Sequence, residues 1–174
     1  MANRVVTPTF RASYPQLFEA KAMDEKSEAK YSIQMIFSKN ADLSGLKALV
    51  SEAVKAKWAD KPPKKLQLPF RDGDEEKEEE VYTNSIFMNA ASKFKPGVVD
   101  QDVQPILNQS EFYPGCYARA SVTAYAWEYM GKAGVSLGLQ NVQKVKEGDR
   151  LDGAVSAESE FEAIANNNDG NFSL

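Results

Sequence analysis

Histidine is absent from the 174 residues, and cysteine occurs once, as Cys116. Without histidine there is no Ser-His or Cys-His nucleophile pair and no His-containing zinc site. One thiol builds neither a disulfide framework nor a Cys-rich metal site. Enzyme chemistry would have to rest on carboxylates, Lys or Tyr; no catalytic residue, metal or cofactor is expected. Also missing is any run near the roughly 18 apolar residues of a membrane-crossing helix. The start, Met-Ala-Asn-Arg, has no signal-peptide character. A single cysteine without a leader fits a reducing cytosol, with Cys116 an inert buried thiol.

An apolar share of 43% is enough for a core, and the length suits one domain plus a tail. The net charge of -4 is unevenly distributed. Residues 151–174 carry Asp152, Glu158, Glu160, Glu162 and Asp169 and no Lys or Arg. Asp72 to Glu80 sets seven acids against Lys77. The rest of residues 1–150 is therefore basic, a body with two acidic appendages.

The stretch Tyr117 to Tyr129 organises the chain. Strand side chains alternate between two faces. The odd positions are Tyr117, Arg119, Ser121, Thr123, Tyr125, Trp127 and Tyr129; the even ones are Ala118, Ala120, Val122, Ala124, Ala126 and Glu128. One face is aromatic and cationic, the other small and mostly aliphatic. Flat rings beside Arg are what a nucleobase stacks on. The same rings would equally fill the interior of a small barrel, and the pattern by itself leaves both uses open.

Taken in order, residues 4–14 read as a first strand ended by Pro15, and Tyr31 to Phe37 as a second. Asp42 to Ala59 is the one good helix. Leu43, Leu46, Leu49, Val50, Ala53, Val54 and Trp58 form its apolar stripe, Asp42 its N-cap and Lys47, Lys55 and Lys57 a solvated face. Residues 60–81 read as a solvated polar loop. Residues 82–95 form a third strand, with Ile86, Met88, Ala90 and Phe94 on one side and Phe87, Asn89, Lys93 and Lys95 on the other. Residues 130–134 connect the organising strand to a fifth, Val135 to Val145, whose Gly138 suggests a bulge or close backbone approach. Five strands and one helix suit a mainly β fold, a five-stranded OB-fold-like barrel. The helix follows the second strand, whereas that fold usually carries it after the third. Residues 1–150 make this domain, and 151–174 an acidic tail too poor in apolar residues to order itself.

Five separated runs carry a family resemblance: Arg-Val-Val-Thr-Pro-Thr-Phe-Arg-Ala-Ser-Tyr-Pro (4–15), Leu-Pro-Phe-Arg-Asp-Gly-Asp (68–74), Lys-Pro-Gly-Val-Val-Asp (95–100), Phe-Tyr-Pro-Gly-Cys-Tyr-Ala-Arg-Ala (112–120) and Gly-Val-Ser-Leu-Gly-Leu-Gln-Asn-Val-Gln (134–143). In that order they resemble a family of tailed-bacteriophage single-stranded DNA-binding proteins, formerly a domain of unknown function. The resemblance covers residues 4 to about 150. It implies an OB-type barrel that coats single strands during phage replication or recombination in the infected host's cytoplasm, without enzymatic activity. The tail is similar, more loosely, to the acidic, aromatic-ended tails of replication single-strand binders. It departs from them in ending Phe172-Ser173-Leu174.

Face analysis nominates Tyr117, Arg119, Tyr125, Trp127, Tyr129, Phe87, Lys93, Lys95 and Arg11 for nucleic acid, with rings for bases and cations for phosphates. Phe161 and Phe172 are the tail's candidate docking residues for replication or recombination proteins, and self-association along the strand is a further expectation. Two competing readings are a structural, self-packing phage protein and a carboxylate-metal nuclease using Asp72, Asp74 and Glu75.

Overall fold

The computed structural model describes residues 3–22, 24–153 and 157–164. Eight strands share one sheet: β1 (Val5–Val6), β2 (Phe10–Lys21), β3 (Lys30–Ser38), β4 (Arg71–Asp72), β5 (Ser85–Ser92), β6 (Gly97–Val99), β7 (Tyr117–Tyr129) and β8 (Lys132–Lys146). β2 pairs with β3, β3 with β5, β5 with β8, β8 with β7, and β7 again with β2. The five main strands thus close a ring, antiparallel except at β5–β8. This is an OB-fold-like architecture. β1 adds to β7, β6 to β8 and β4 to β5.

The inside of the ring follows from alternation. Ala118, Ala120 and Val122 of β7 are at most 2% exposed and meet Phe10, Met35, Phe37, Met88, Leu137 and Leu139 from the other strands. The small residues of β7 leave room for α1 (Ser44–Trp58), which rests chiefly on that strand and buries Leu46, Leu49 and Val50. The helix lies between the second and third strands of the ring, as its place in the chain indicates. Asp42 accepts the Ser44 N–H at 3.0 Å, yet the residue flanking the helix is Leu43, one later than expected for the cap.

Several elements differ from the sequence expectation. The first strand divides at Thr7–Thr9, and β2 runs on through Pro15 to Lys21. Pro15 is accommodated because Tyr14 adopts φ +46° and the β2–β3 register shifts between Ser13 and Gln16, a bulge that needs no ladder N–H there. β5 ends at Ser92, so Phe94 lies in the following bend, 82% exposed, instead of joining Met88 and Ala90. The segment expected as a solvated loop is folded. β4 leads into α2 (Gly73–Glu76), and a 3-10 turn at Glu80–Tyr82 buries Tyr82 to 4% exposure. The β7–β8 connection is two residues, Met130 and Gly131, both at positive φ, the geometry that suits the twist of a tight hairpin.

The start of the C-terminal segment is held on the body. The Leu151 N–H donates to Pro114 O at 2.9 Å, and Arg150 pairs with Asp152 at 2.9 Å. A helical turn follows, α3 (Ala157–Glu160). Phe172 lies outside the described residues.

Candidate nucleic-acid interface

The odd-numbered side chains of β7 point away from the ring's interior. Tyr125 is 48% and Tyr129 72% exposed, Arg119 is exposed, and Tyr117 and Trp127 are half-buried. β8 supplies the flanking outer positions, with Ser136 opposite Tyr125, Gly138 opposite Thr123 and Gln143 opposite Arg119. A Cβ at Gly138 would come within 2.5 Å of Thr123 Oγ1, so this glycine marks a close approach between neighbouring strands. Arg119 is aimed by a hydrogen bond from its Nε to Gln143 Oε1 at 2.7 Å.

At the far end of the strand Tyr117 carries two cations. Lys146 Nζ stands 4.6 Å and Arg11 Cζ 5.8 Å from its ring centroid. Arg11 also donates to Asp149 O at 2.7 Å and to Gly115 O at 3.3 Å. Its guanidinium therefore fixes the chain leaving β8 as well as facing the ring. A groove of about 420 Å3 opens here, with Arg11, Tyr117 and Lys146 on one bank and Thr83 and Asn84 on the other.

The structure brings Tyr117, Arg119, Tyr125, Trp127, Tyr129 and Arg11 to one outer face, and it separates Phe87 from them. Phe87 is 0% exposed. Its ring meets Tyr82 edge-on at 5.3 Å between centroids, and Arg71 and Lys77 cover it at 5.0 and 5.5 Å. Phe87 lies outside the ring's interior, as its alternation indicates, but the folded segment 71–82 buries that part of the sheet. The ring cannot present a face to a base and is withdrawn from the interface. Lys93 and Lys95 lie in the bend after β5, beside β8, both exposed, with Lys93 3.2 Å from Glu28.

Lys146 and Gln143 were missed in the sequence. Counting back from the hairpin would have raised them only by knowing the bulges along β7–β8. Lys144 is a second surprise. It is 6% exposed and donates to Glu111 O at 2.7 Å and to Glu147, with the Tyr113 ring 5.2 Å away. It serves the fold and not the surface. The carboxylates of Asp72 and Asp74 both bind Lys39, at 3.0 and 2.7 Å. The hydrogen bond from Lys39 holds Asp74 below the ordinary carboxylate range, and the Asn84 N–H adds to it. A cation already occupies the pair that the nuclease reading would assign to a metal.

This outer face has rings of the kind that stack bases and cations of the kind that neutralise phosphates. Residues 3–172 match the family described as "Enterobacter phage Enc34, ssDNA-binding protein". The chain belongs to that family. Protein p50 of Acyrthosiphon pisum secondary endosymbiont phage 1 is 29% identical over 168 residues, 89% of this chain and 90% of its own. The single-stranded DNA-binding protein of bacteriophage Enc34, solved in complex with ssDNA, superposes with a TM-score of 0.74 at 19% identity, over 85% of this chain and 89% of that one. The single-stranded DNA-binding protein encoded by bacteriophage T7 gives 0.66 at 10% identity, over 96% and 97%. The fold extends across phage single-strand binders whose sequences have diverged widely from this one.

Proposed function

We propose that this Enc34-family protein binds single-stranded DNA along the outer face of β7 and β8, with bases on Tyr125, Trp127 and Tyr129 and phosphates on Arg119, Lys146, Lys93 and Lys95. It is a binding protein and not an enzyme. The observation that carries the reading is that β7 turns its aromatic and cationic side chains outward while its alanines fill the core. Each stacked base contributes about 1–3 kcal/mol, and stacking is tolerant of sequence. A protein of this kind coats strands exposed during phage replication or recombination in the host cytoplasm, and the acidic tail is its contact with other replication proteins.

The test is a gel shift on labelled oligo(dT), run with Mg2+ and again with EDTA. Retardation without cleavage in both is the expected result. Cleavage confined to the Mg2+ lanes would favour a nuclease, and the absence of any shift would favour a structural protein. In either case the assignment fails.

A further inference from the structure

A groove of about 470 Å3 runs beside α1. Val50, Val54, Leu68 and Phe70 form its apolar floor, and Leu68 is left 49% exposed. Lys47 and Lys55 stand on its rim. Lys61, Lys64 and Lys65 follow in the exposed connection after the helix. Among the described residues, the side chains of these five lysines make no ion pair or hydrogen bond. A nucleobase needs an exposed flat ring. This floor is mostly branched aliphatic, with Phe70 half-buried, so it suits the apolar side chains of a peptide.

The complement lies in the same sequence. α3 is one helical turn, with the Phe161 N–H donating to Ala157 O at 3.0 Å. The helix ends at Glu160; continued at the same spacing through Ile164, it would set Ala157, Phe161 and Ile164 on one side. Glu158, Glu160 and Glu162 fall between them, and no cation follows Arg150. The segment is thus short, amphipathic and acidic, while the groove is apolar and lysine-rimmed, the pairing by which a helix lies in a groove. Phe161 is 71% and Ile164 96% exposed on the chain that carries them. The segment therefore does not occupy its own groove.

We propose that residues 157–164 of one copy dock in the α1 groove of a second copy. Phe161 and Ile164 enter against Val54, Leu68 and Phe70, and Glu160 and Glu162 face Lys47 and Lys55. Each copy carries one groove and one segment, so the contact either closes as an exchanged pair or continues from copy to copy. The inference uses none of the residues assigned to DNA and does not depend on that assignment.

The test is sedimentation of the full chain without DNA over a range of concentrations, at about 0.05 and about 0.5 M salt, where screening differs strongly. The wild type is expected to associate with rising concentration, and more at the lower salt. Phe161→Ala with Ile164→Ala, which removes buried apolar contact, is expected to weaken association about tenfold or more. Lys47→Glu with Lys55→Glu is expected to do the same, with unchanged melting midpoints for both. Mixing the two variants restores one contact between unlike copies, because one keeps its groove and the other its segment, and so yields pairs where each variant alone stays monomeric. A chain that stays monomeric throughout would overturn the proposal, as would association untouched by either variant. So would slowed hydrogen exchange at 157–161 in a chain sedimenting as a monomer, which places the segment in its own groove. Association intact in the Lys47→Glu/Lys55→Glu variant, together with lost oligo(dT) affinity, would overturn the proposal and assign the lysines to nucleic acid instead.

Discussion

Trp127 lies over Gly134, its cross-strand neighbour, so closely that a Cβ at Gly134 would stand 2.8 Å from the indole Cζ2. The same Cβ would come within 2.6 Å of Gln67 O. The indole Nε1 donates to Ser136 Oγ at 3.0 Å. Trp127 is thus positioned by Gly134 and Ser136, with part of its ring left to solvent. Gly134→Ala forces the ring and the Gln67 backbone apart, and overpacking of this kind costs about 1–3 kcal/mol. The urea midpoint should fall accordingly. An unchanged midpoint would mean that neither the ring nor the segment at Gln67 is held as described.

Tyr125 and Tyr129 are the cleaner probes of stacking, because both are more exposed than Trp127. Tyr125→Ala and Tyr129→Ala are expected each to weaken oligo(dT) binding by about 1–3 kcal/mol. Both should leave the thermal midpoint where it was. Fluorescence anisotropy and a melt on the same preparations check this. Full affinity in the double variant would move the bases off β7.

The cations are separated by the salt dependence of binding. Log affinity falls against log salt with a slope of about 0.7 per phosphate contact on a single strand. Lys146→Ala should reduce the slope by about that amount, and Lys93→Ala with Lys95→Ala by up to twice it. The loss should be alike for oligo(dT) and mixed sequences. If only Lys146 changes the slope, the strand passes the Tyr117 end and does not reach the bend after β5. If neither does, the phosphates lie elsewhere.

The ring of strands and the outward face of β7 were readable because both follow from period-two alternation, which survives in Ala118, Ala120 and Val122 without tertiary information. Register was not readable. From the hairpin, Tyr129 faces Lys132 and Val122 faces Leu139. An unbroken ladder would carry on to place Lys144 opposite Tyr117. Register shifts beside Ser121 and Tyr117 place Lys146 there instead, and turn Lys144 inward. A two-residue slip therefore decides which lysine meets the interface. Phe87 fails for a different reason. Alternation says which side of β5 it occupies, and only the return of a distant segment, Arg71 to Tyr82, decides that this side is covered. Seven acids within nine residues read as solvated. They fold because Lys39 and Arg71 pair with three of them while Tyr82 is buried beneath.

The inward turn of Lys144 makes the fold sensitive to acid. Lys144 is almost fully buried, and Glu147 and the Glu111 carbonyl receive its ammonium. Tyr113 also hydrogen-bonds Glu147 through its hydroxyl. Burial alone would raise the Glu147 carboxyl, but the hydrogen bonds from Lys144 and Tyr113 outweigh it and hold the group below the ordinary carboxylate range. A depressed carboxyl contributes stability that is complete above its unfolded value and is lost as pH falls through its folded value. Protonating Glu147 leaves the buried ammonium with a backbone carbonyl and no counter-charge. Glu147→Gln mimics that state at every pH. It should therefore lower the melting midpoint at pH 7 and flatten the acid limb of stability below the usual carboxylate range. Asp74, held down by Lys39, still contributes to that limb in the variant, so the limb should shrink and not vanish. Melting curves from about pH 7 down to about pH 3, a span bracketing carboxylate titration, compare the two proteins. A limb as steep in Glu147→Gln as in the wild type would show that acid acts through other carboxylates, and that the Lys144 ammonium does not need this counter-charge.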